Sequence, residues 1–221
     1  MRCHGPGCGG SPHDIEHRHF TWSGGARACD RGCLAAVSIP DNQREYDIQH
    51  GLVDMVAHTM TITCGRLKRE DSSSVYFDAH QRVLMLKNSK AHSLADLRGQ
   101  KVCSTSGASS IAKIVAAKAI LVPVTYWTDY LVLLQQGDAT AISTDDCILK
   151  GLESQDPWTE LKGPPLTNEP YDPAINKQHP DFAAFVNAVL EQLRTDGQWS
   201  ASYAHWIGTP VPAPPAAEYG S

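Results

Sequence analysis

The sequence has no block of lysine and arginine residues and no long apolar run. It contains 19 Lys and Arg against 24 Asp and Glu, a formal net charge of −5. This weakly acidic balance argues against nucleic acid as a main partner. The best membrane-span candidate, Ile111 to Val124, carries two lysines and a proline, so no membrane-spanning helix is expected. The first residues also lack the basic-then-apolar layout of a secretory signal peptide.

Hydrophobic residues, in contrast, are plentiful. They make up 42% of the 221 residues, enough for the core of one large domain or two small ones. The cysteine count is seven, an odd number that does not by itself settle the redox compartment. The cysteines are Cys3, Cys8, Cys29, Cys33, Cys64, Cys103 and Cys147.

Residues 1–36 differ from the rest of the chain. They are rich in Gly, His and Cys and show neither helical nor strand periodicity, so we expect an irregular, disordered segment. A zinc site is the alternative, because Cys29 and Cys33 lie near His13, His17 and His19. This spacing matches none of the usual zinc-finger patterns, and we expect no metal and no cofactor. Residues 209–221 are rich in Pro and Ala and are expected to form an extended tail.

From Val37 the chain alternates short strands and helices. Helices are expected at 41–50 (with Asp41 as N-cap), at 93–97, from Ile111, at 128–136 and after Pro180. Strands are expected at 53–57, 81–87, 101–104, 122–124 and 139–143. This alternation predicts an α/β fold with a largely parallel sheet. We expect residues 89–171 to form one lobe, inserted between two halves of another lobe at 37–88 and 172–208.

The stretch VDMVAHTMTITCGR, residues 53–66, is the first candidate site. Alternation in a strand would put Thr59, Thr61 and Thr63 on one side, with Arg66 three residues further on. An arginine offers a planar fork that matches a carboxylate, and hydroxyls satisfy the remaining lone pairs. The plainer interpretation is that the threonines are ordinary strand residues and Arg66 is a solvated charge.

Two further candidates follow predicted strands. Gly107, Ala108 and Ser109 form a small-residue turn before a helix, whose first N–H groups suit an anion. Asp145 follows the strand at 139–143 and suits an ammonium group. Together with Arg66, these sites would match the two charges of an α-amino acid. The alternative is that Ser109 and Asp145 are helix caps, a role for which Asp146 is as good a candidate.

Several blocks, in the same order, resemble the type-3 extracytoplasmic solute-binding proteins of amino-acid ABC transporters. The blocks are VDMVAHTMTITCGRLK, SLADLRGQKVCSTSGASS, LQQGDATAISTDDCILKG, NEPY and HPDFAAFVNAVLEQLRTDGQWSASYAHWIG. The chain is most similar to the actinobacterial glutamate/glutamine-binding lipoproteins. The resemblance implies a two-lobed, type II periplasmic-binding-protein fold whose lobes close over one amino acid.

The resemblance also implies roles for individual residues. Arg66 would bind the ligand α-carboxylate, with Thr61 and the backbone near Thr59 assisting. Ser109 and the backbone of Gly107 and Ala108 would hold the same carboxylate from the other lobe. Asp145 would hold the α-ammonium group.

The chain departs from the family pattern at several points. It has Gly-Ala-Ser at 107–109 where the family usually has Gly-Thr-Thr or Gly-Ser-Thr, so one hydroxyl is missing. The family's first strand, first helix and second strand have no counterpart, so we expect the first lobe to be incomplete and residues 1–36 to be a non-family segment. Some members have a cysteine in place of Tyr130, paired with the one that matches Cys103. Whether Cys103 pairs with Cys147 here is left open.

We therefore expect binding of a glutamate- or glutamine-like amino acid and its delivery to a membrane ABC permease. The resemblance implies an extracytoplasmic, membrane-associated location, although no signal peptide is visible in this chain. One alternative is a degenerate or truncated binding protein with little affinity. The other is an enzyme on the same fold, for which Asp146 and His58 would be the acid/base candidates. These two residues are more simply interpreted as a cap and a hydrogen-bonded histidine, and we expect no catalysis.

Overall fold

The computed structural model describes residues 35–208 and 213–214. The expected disorder of residues 1–36, the alternative zinc site and the Pro-rich tail lie wholly or mostly outside these residues. The strands are β1 (Met55–Val56), β2 (Asp71–Ser72), β3 (Phe77–Leu86), β4 (Lys101–Thr105), β5 (Ile120–Val124), β6 (Ala141–Asp145), β7 (Thr159–Tyr171) and β8 (Ala174–Ile175). The helices are α1 (Arg44–Gln49), α2 (Cys64–Leu67), α3 (Ile111–Ala116), α4 (Asp129–Gln136), α5 (Asp146–Gln155), α6 (Pro180–Thr195) and α7 (Gln198–Trp206), with a 3₁₀ turn at Leu94–Leu97.

The strands form two sheets, and the α/β fold class is confirmed. The larger sheet has the order β5-β4-β6-β3-β7 and the smaller one β1-β8-β2. In the larger sheet β4 runs parallel to β5 and β6, whereas β3 runs antiparallel to both β6 and β7. The sheet is therefore mixed, not largely parallel as expected. The long strands β3 and β7 pair with each other along most of their length, without the helical crossover that a parallel pair requires.

The core of the larger sheet lies on its two faces, as the period of two in a strand requires. Leu84, Cys103 and Ile142 pack on one face with the buried residues of α4 and α5. Val83 and Val102, their neighbours in sequence, pack on the other face, in the same cluster as Ile114 of α3 and Leu97 of the 3₁₀ turn. Two helical layers thus hold the sheet rigid, and the carboxyl ends of β4 and β6 form a fixed platform.

The chain passes between the two sheets at residues 73–76 and 172–173. The second passage follows β7, and after the first passage β3 pairs in the larger sheet. The lobe boundaries themselves stay a prediction.

The expected strand over Thr59–Thr63 does not form. Thr61 makes an isolated bridge to Tyr171, and Thr63 instead caps α2, because its hydroxyl accepts the Arg66 N–H at 3.2 Å. The chain therefore turns into a helix at Cys64, and the threonines do not share one strand face. A helix-capping threonine lowers the free energy of the helix by about 1 kcal/mol, which competes with strand extension.

Helix α1 begins at Arg44, and the proposed cap Asp41 uses its side chain elsewhere. Helix α6 follows Pro180 as predicted, with Gly197 in the left-handed conformation just beyond its end. Its apolar spacing gives a face that is partly buried, with Ala183 buried and Phe182, Val186 and Leu190 half-buried, whereas Phe185 is 61% exposed. Helix α7, which the sequence interpretation did not separate, starts directly after Gly197.

Candidate ligand-binding site

One small cavity lies where the end of β6, the turn after β4 and the start of α2 approach each other. Its volume is about 10 Å³, room for about one water molecule. Six of the seven predicted site residues line it, namely Thr59, Thr61, Arg66, Ala108, Ser109 and Asp145. Four residues that sequence reasoning did not assign to the site line it as well: Asp41, Arg44, Thr144 and Ile148.

Arg66 lies at the cavity with its guanidinium largely buried. Nη1 donates to the Thr61 carbonyl at 2.8 Å and Nη2 to the Gly107 carbonyl at 3.3 Å, while Nε donates to Glu45 Oε1 at 3.0 Å. The side chain is thus fixed by the Thr61 carbonyl, five residues before it, and contacted by the Gly107 carbonyl in the turn after β4. The alternative of a solvated surface charge is wrong, since the residue is only 7% exposed.

A second buried guanidinium, that of Arg44, lines the same cavity. It is 2% exposed, and its Nη1 donates to the Thr59 carbonyl at 3.0 Å. Asp41 lies 3.7 Å from it, and the Asp41 carboxylate also accepts from Thr105 at 2.8 Å and from Trp127 at 3.2 Å. The sequence signal that could have identified Arg44 was its spacing from Ile48. The two residues are four apart, and they are the two buried residues of α1.

His58 adjoins Arg44, lies outside the strands and is hydrogen-bonded. Its Nδ1 lies 3.2 Å from Arg44 Nη1 and 3.2 Å from the Thr59 hydroxyl. Burial, aided by the Arg44 charge and opposed by Asp41, lowers the pKa of His58 to about 4. The ring is therefore neutral at neutral pH, and the positive charge of this part of the cavity comes from the arginines.

The turn after β4 brings Gly107, Ala108 and Ser109 to the site. Gly107 has a φ of +85°, and a Cβ there would lie 3.1 Å from the Asn42 Cα, so the close approach to residue 42 favours glycine. The Ala108 N–H donates to the Thr105 carbonyl at 3.1 Å. The Ser109 hydroxyl donates to Glu169 at 2.7 Å and lies 3.5 Å from the Thr61 hydroxyl. Glu169, buried on β7, was quoted in the NEPY block but received no predicted role.

Asp145 ends β6 and precedes α5, but its side chain makes no capping hydrogen bond. Its Oδ2 accepts a hydrogen bond from the Tyr171 hydroxyl. Burial raises the pKa of Asp145 to about 6, the Tyr171 hydrogen bond works against this, and the charges of Glu169 and Asp146 add to it. The Asp146 carboxylate instead accepts the His80 N–H at 3.2 Å, so Asp146 does not act as a simple helix cap.

A second, larger cavity adjoins the first. Its volume is about 400 Å³, and it is lined by Asp41, Asn42, Glu45, Tyr46, Gln49, Arg69 and Gly107. Gly107, the one predicted site residue outside the inner cavity, therefore lines this outer one. Glu45 stands between the two, because its carboxylate accepts from Arg66 on one side and from Arg69 on the other. Burial would raise the pKa of Glu45, but the hydrogen bonds from Arg69 and Arg66 outweigh it and lower that pKa.

The three cysteines in the described part of the chain, Cys64, Cys103 and Cys147, are free thiols, which answers the pairing left open above. Tyr130 packs with Cys103 in the core, and its hydroxyl accepts the Thr105 N–H at 2.7 Å. Across residues 35–208 and 213–214, no three His, Cys, Asp or Glu side chains are grouped as metal ligands. Within the same ranges, none of the helices has the length and apolarity to cross a bilayer.

The comparisons with known proteins give one family and several relatives. The model of the bacterial extracellular solute-binding proteins, family 3, matches residues 34–209. The glutamine-binding protein GlnH of Bacillus subtilis is 35% identical over 163 residues, covering 72% of this chain and 60% of the relative. The glutamate-binding protein GluB of Corynebacterium glutamicum is 32% identical over 179 residues, covering 76% of this chain and 61% of the relative. The chain thus spans about 60% of the length of these curated relatives.

Solved structures share the fold. A variant of ArgBP from T. maritima has a TM-score of 0.74 at 25% identity, covering 78% of this chain and 77% of that chain. An ancestral arginine-binding protein bound to glutamine has a TM-score of 0.72 at 29% identity, covering 76% of each chain. Because the family model covers most of the sequence, the chain belongs to the bacterial extracellular solute-binding proteins of family 3.

Proposed function

We propose that this chain binds a single polar amino acid of the glutamate/glutamine kind in the inner cavity. The observation that carries the proposal is that Arg66 and Asp145, both buried and opposite in charge, line the same cavity. Arg66 would bind the α-carboxylate through its planar fork, and Asp145 would accept hydrogen bonds from the α-ammonium group. A zwitterion satisfies both charges at once, whereas a purely anionic or cationic ligand would leave one of them buried and unpaired.

The side-chain preference is supported by Arg44. This second guanidinium lines the cavity together with Arg66, so a ligand with a carboxylate or carboxamide side chain would find a second donor group there. The names of two relatives, a glutamine-binding and a glutamate-binding protein, point to the same ligand class. We place glutamate first, because a carboxylate would pair with the Arg44 charge more strongly than an amide would.

Binding requires the cavity to enlarge. Ligand pockets usually have volumes of about 300–1,000 Å³, far above the cavity volume of about 10 Å³. The hydrogen bonds that close it join segments far apart in sequence, such as the one from Arg66 of α2 to Gly107 in the turn after β4. Parting these groups is the change that would admit an amino acid. The small volume is also what favours the second candidate, a relative with little ligand affinity.

Calorimetric titration of the chain with L-glutamate, L-glutamine and L-aspartate tests the proposal. Arg66→Lys keeps the charge but loses the fork, and it should weaken binding at least tenfold. Asp145→Asn should weaken L-glutamate more than glutarate, which lacks the amino group. Asp146→Asn removes the same charge from the neighbouring residue and serves as the matched control. If none of the three amino acids gives a heat of binding, the second candidate, a relative with little ligand affinity, is favoured.

We further propose that the bound amino acid is delivered to an ABC permease outside the cytoplasm, with the chain associated with the membrane surface. The family description as extracellular proteins and the name of the Bacillus subtilis relative, an ABC transporter component, support this step. We propose no catalytic role, since the family consists of solute-binding proteins, and burial beside Arg44 lowers the pKa of His58 to about 4, which makes this candidate a weak base at neutral pH.

A further inference from the structure

Glu45 connects the inner and the outer cavity through two arginines. Its Oε1 accepts from Arg66 Nε at 3.0 Å, and its Oε2 accepts from Arg69 Nε at 3.1 Å and from Arg69 Nη2. The Arg66 side chain is 9% exposed, that of Glu45 32% and that of Arg69 48%. One carboxylate therefore bridges a buried guanidinium at the cavity and an exposed guanidinium at the surface.

The Glu45 carboxylate occupies one of the edges of Arg66 through which a ligand carboxylate could bind. A guanidinium binds a carboxylate best through two parallel N–H groups on one edge. Glu45 already accepts the Nε–H, and the carbonyls of Thr61 and Gly107 accept from Nη1 and Nη2. The Nε edge is thus taken by an internal carboxylate, which also neutralises part of the Arg66 charge.

If Glu45 released Arg66, it would lose few of its hydrogen bonds. Only Oε1 would lose its partner, because Oε2 is held by Arg69. The freed oxygen lies at the edge of the outer cavity, where a partly exposed carboxylate can be hydrated. The arrangement provides a resting position for Glu45 outside the inner cavity.

We propose that the Glu45 carboxylate competes with the ligand's α-carboxylate for Arg66, and that Arg69 retains Glu45 when the ligand enters. The proposal rests on the proposed function, since it concerns the affinity of the same site. It makes Glu45 an affinity-determining residue and the Glu45–Arg66 pair a contact that the ligand must displace. The hydrogen bonds that lower the pKa of Glu45 keep it ionised at neutral pH, so the competition operates there.

Glu45→Gln tests the competition directly. A neutral amide pairs less strongly with Arg66, so L-glutamate should bind about tenfold more tightly, a difference of about 1.4 kcal/mol. Glu160→Gln is the matched control, because it removes the same charge from an exposed position on β7 and should leave the affinity unchanged. Glu45→Ala provides a second variant, and thermal melts of all three establish that they fold.

Arg69→Gln tests the second half of the proposal. Without Arg69, Glu45 has Arg66 as its remaining guanidinium partner, so L-glutamate should bind several-fold more weakly. In the Glu45→Gln background the same change should have no such effect, because the competing carboxylate is gone. An equal loss in both backgrounds would show that Arg69 acts directly on the ligand and would overturn this half.

The outcomes separate the two proposals. If the wild type binds L-glutamate and Glu45→Gln binds it no more tightly, the competition is refuted while the binding function stands. If Glu45→Gln weakens binding, Glu45 positions Arg66 for the ligand instead. If the wild type binds weakly and Glu45→Gln binds well, the competition is supported in its strongest form. If no variant binds L-glutamate, L-glutamine or L-aspartate, both proposals fall together.

Discussion

The hydroxyl of Tyr171 donates a hydrogen bond to Oδ2 of Asp145, although their strands are not neighbours in the sheet. β3 lies between β6 and β7, with Gln81 opposite Asp145 and Phe77 opposite Tyr171. Both side chains are buried, at 5% exposure for Asp145 and 2% for Tyr171. The sulfur of Cys147 lies 3.4 Å from the same hydroxyl. A carboxylate in this setting depends on one donated hydrogen bond to remain ionised near neutral pH.

Amino-acid binding should weaken as the pH falls through the pKa of Asp145. An ammonium group needs the ionised carboxylate, and burial raises this pKa to about 6. The fraction of binding-competent protein then changes about tenfold between about pH 5 and about pH 7, and the apparent dissociation constant should change by the same factor. Titrations with L-glutamate at several pH values measure it. The Asp145→Asn variant should show a flat profile over this range, and a slope that survives in this variant would assign the titration to another group.

Tyr171→Phe should move that profile to higher pH. The hydrogen bond from the hydroxyl favours the ionised form of Asp145, so its loss raises the pKa of the carboxyl further. For a rise of about one pKa unit, binding of L-glutamate should therefore be about fivefold weaker at about pH 6 and recover by about pH 8. The aromatic ring is retained, so its stacking on Phe77 with centroids 5.7 Å apart should persist.

Tyr130→Phe is the control for this variant. It also removes a buried hydroxyl, one that accepts the Thr105 N–H at 2.7 Å. Each variant should lose about 1 kcal/mol of unfolding free energy, measured by urea unfolding, but only Tyr171→Phe should shift the pH profile of binding. An identical shift in both would mean that the effect comes from general destabilisation.

Gly107→Ala should lower both stability and affinity. The alanine would adopt a φ of +85° and bring its Cβ to 3.1 Å from the Asn42 Cα. The left-handed conformation alone costs about 1–2 kcal/mol. Gly137→Ala, with a φ of +78° and nothing within 4 Å, pays only this conformational cost. The difference between the two variants in urea unfolding therefore isolates the close contact. Weaker binding is expected for Gly107→Ala alone, because its carbonyl accepts from Arg66.

The sequence allowed Arg66 and Asp145 to be predicted because each lies at or just beyond the end of a run with a clear alternating or apolar pattern. Arg66 follows the run that ends in Thr63, and Asp145 is the last residue of β6. Six of the predicted residues meet at one cavity for this reason. The approach of the ends of β4 and β6 follows from their parallel pairing in the sheet, since ligands of open α/β folds bind at the carboxyl ends of strands.

Arg44 and Asp41 were not assigned to the site from the sequence, and for Asp41 a local pattern gave a simpler role. Asp41 precedes a helix and matches a cap, yet its carboxylate bonds to Thr105 and Trp127, which are far away in sequence. The pairing of β3 with β7 was likewise hidden, since alternation fixes which side chains share a face but not which strands are neighbours. Contacts of long sequence separation decide both features.

Glu70→Gln should stabilise the protein above neutral pH. Glu70 is 3% exposed, and within residues 35–208 and 213–214 its Oε2 has no hydrogen-bond partner. Burial raises its pKa to about 7, and the charge of Glu45 adds to this, while Arg66 opposes it. Because the folded pKa lies above the unfolded value, the folded state binds more protons between about pH 4.5 and about pH 7. Its contribution to stability is therefore complete at low pH and is lost as the pH rises.

A neutral glutamine removes this loss, so the free energy of unfolding at about pH 8 should rise by about 1–3 kcal/mol over the wild type. Urea unfolding at about pH 5 and about pH 8 measures it, with Glu160→Gln as the exposed control, for which no difference is expected. Part of the slope should remain in Glu70→Gln, because the raised pKa of Asp145 has the same sign and acts up to about pH 6. A variant less stable than the wild type at pH 8 would mean that ionised Glu70 is favourably paired, with Arg66 and Arg69 outweighing the cost of its burial.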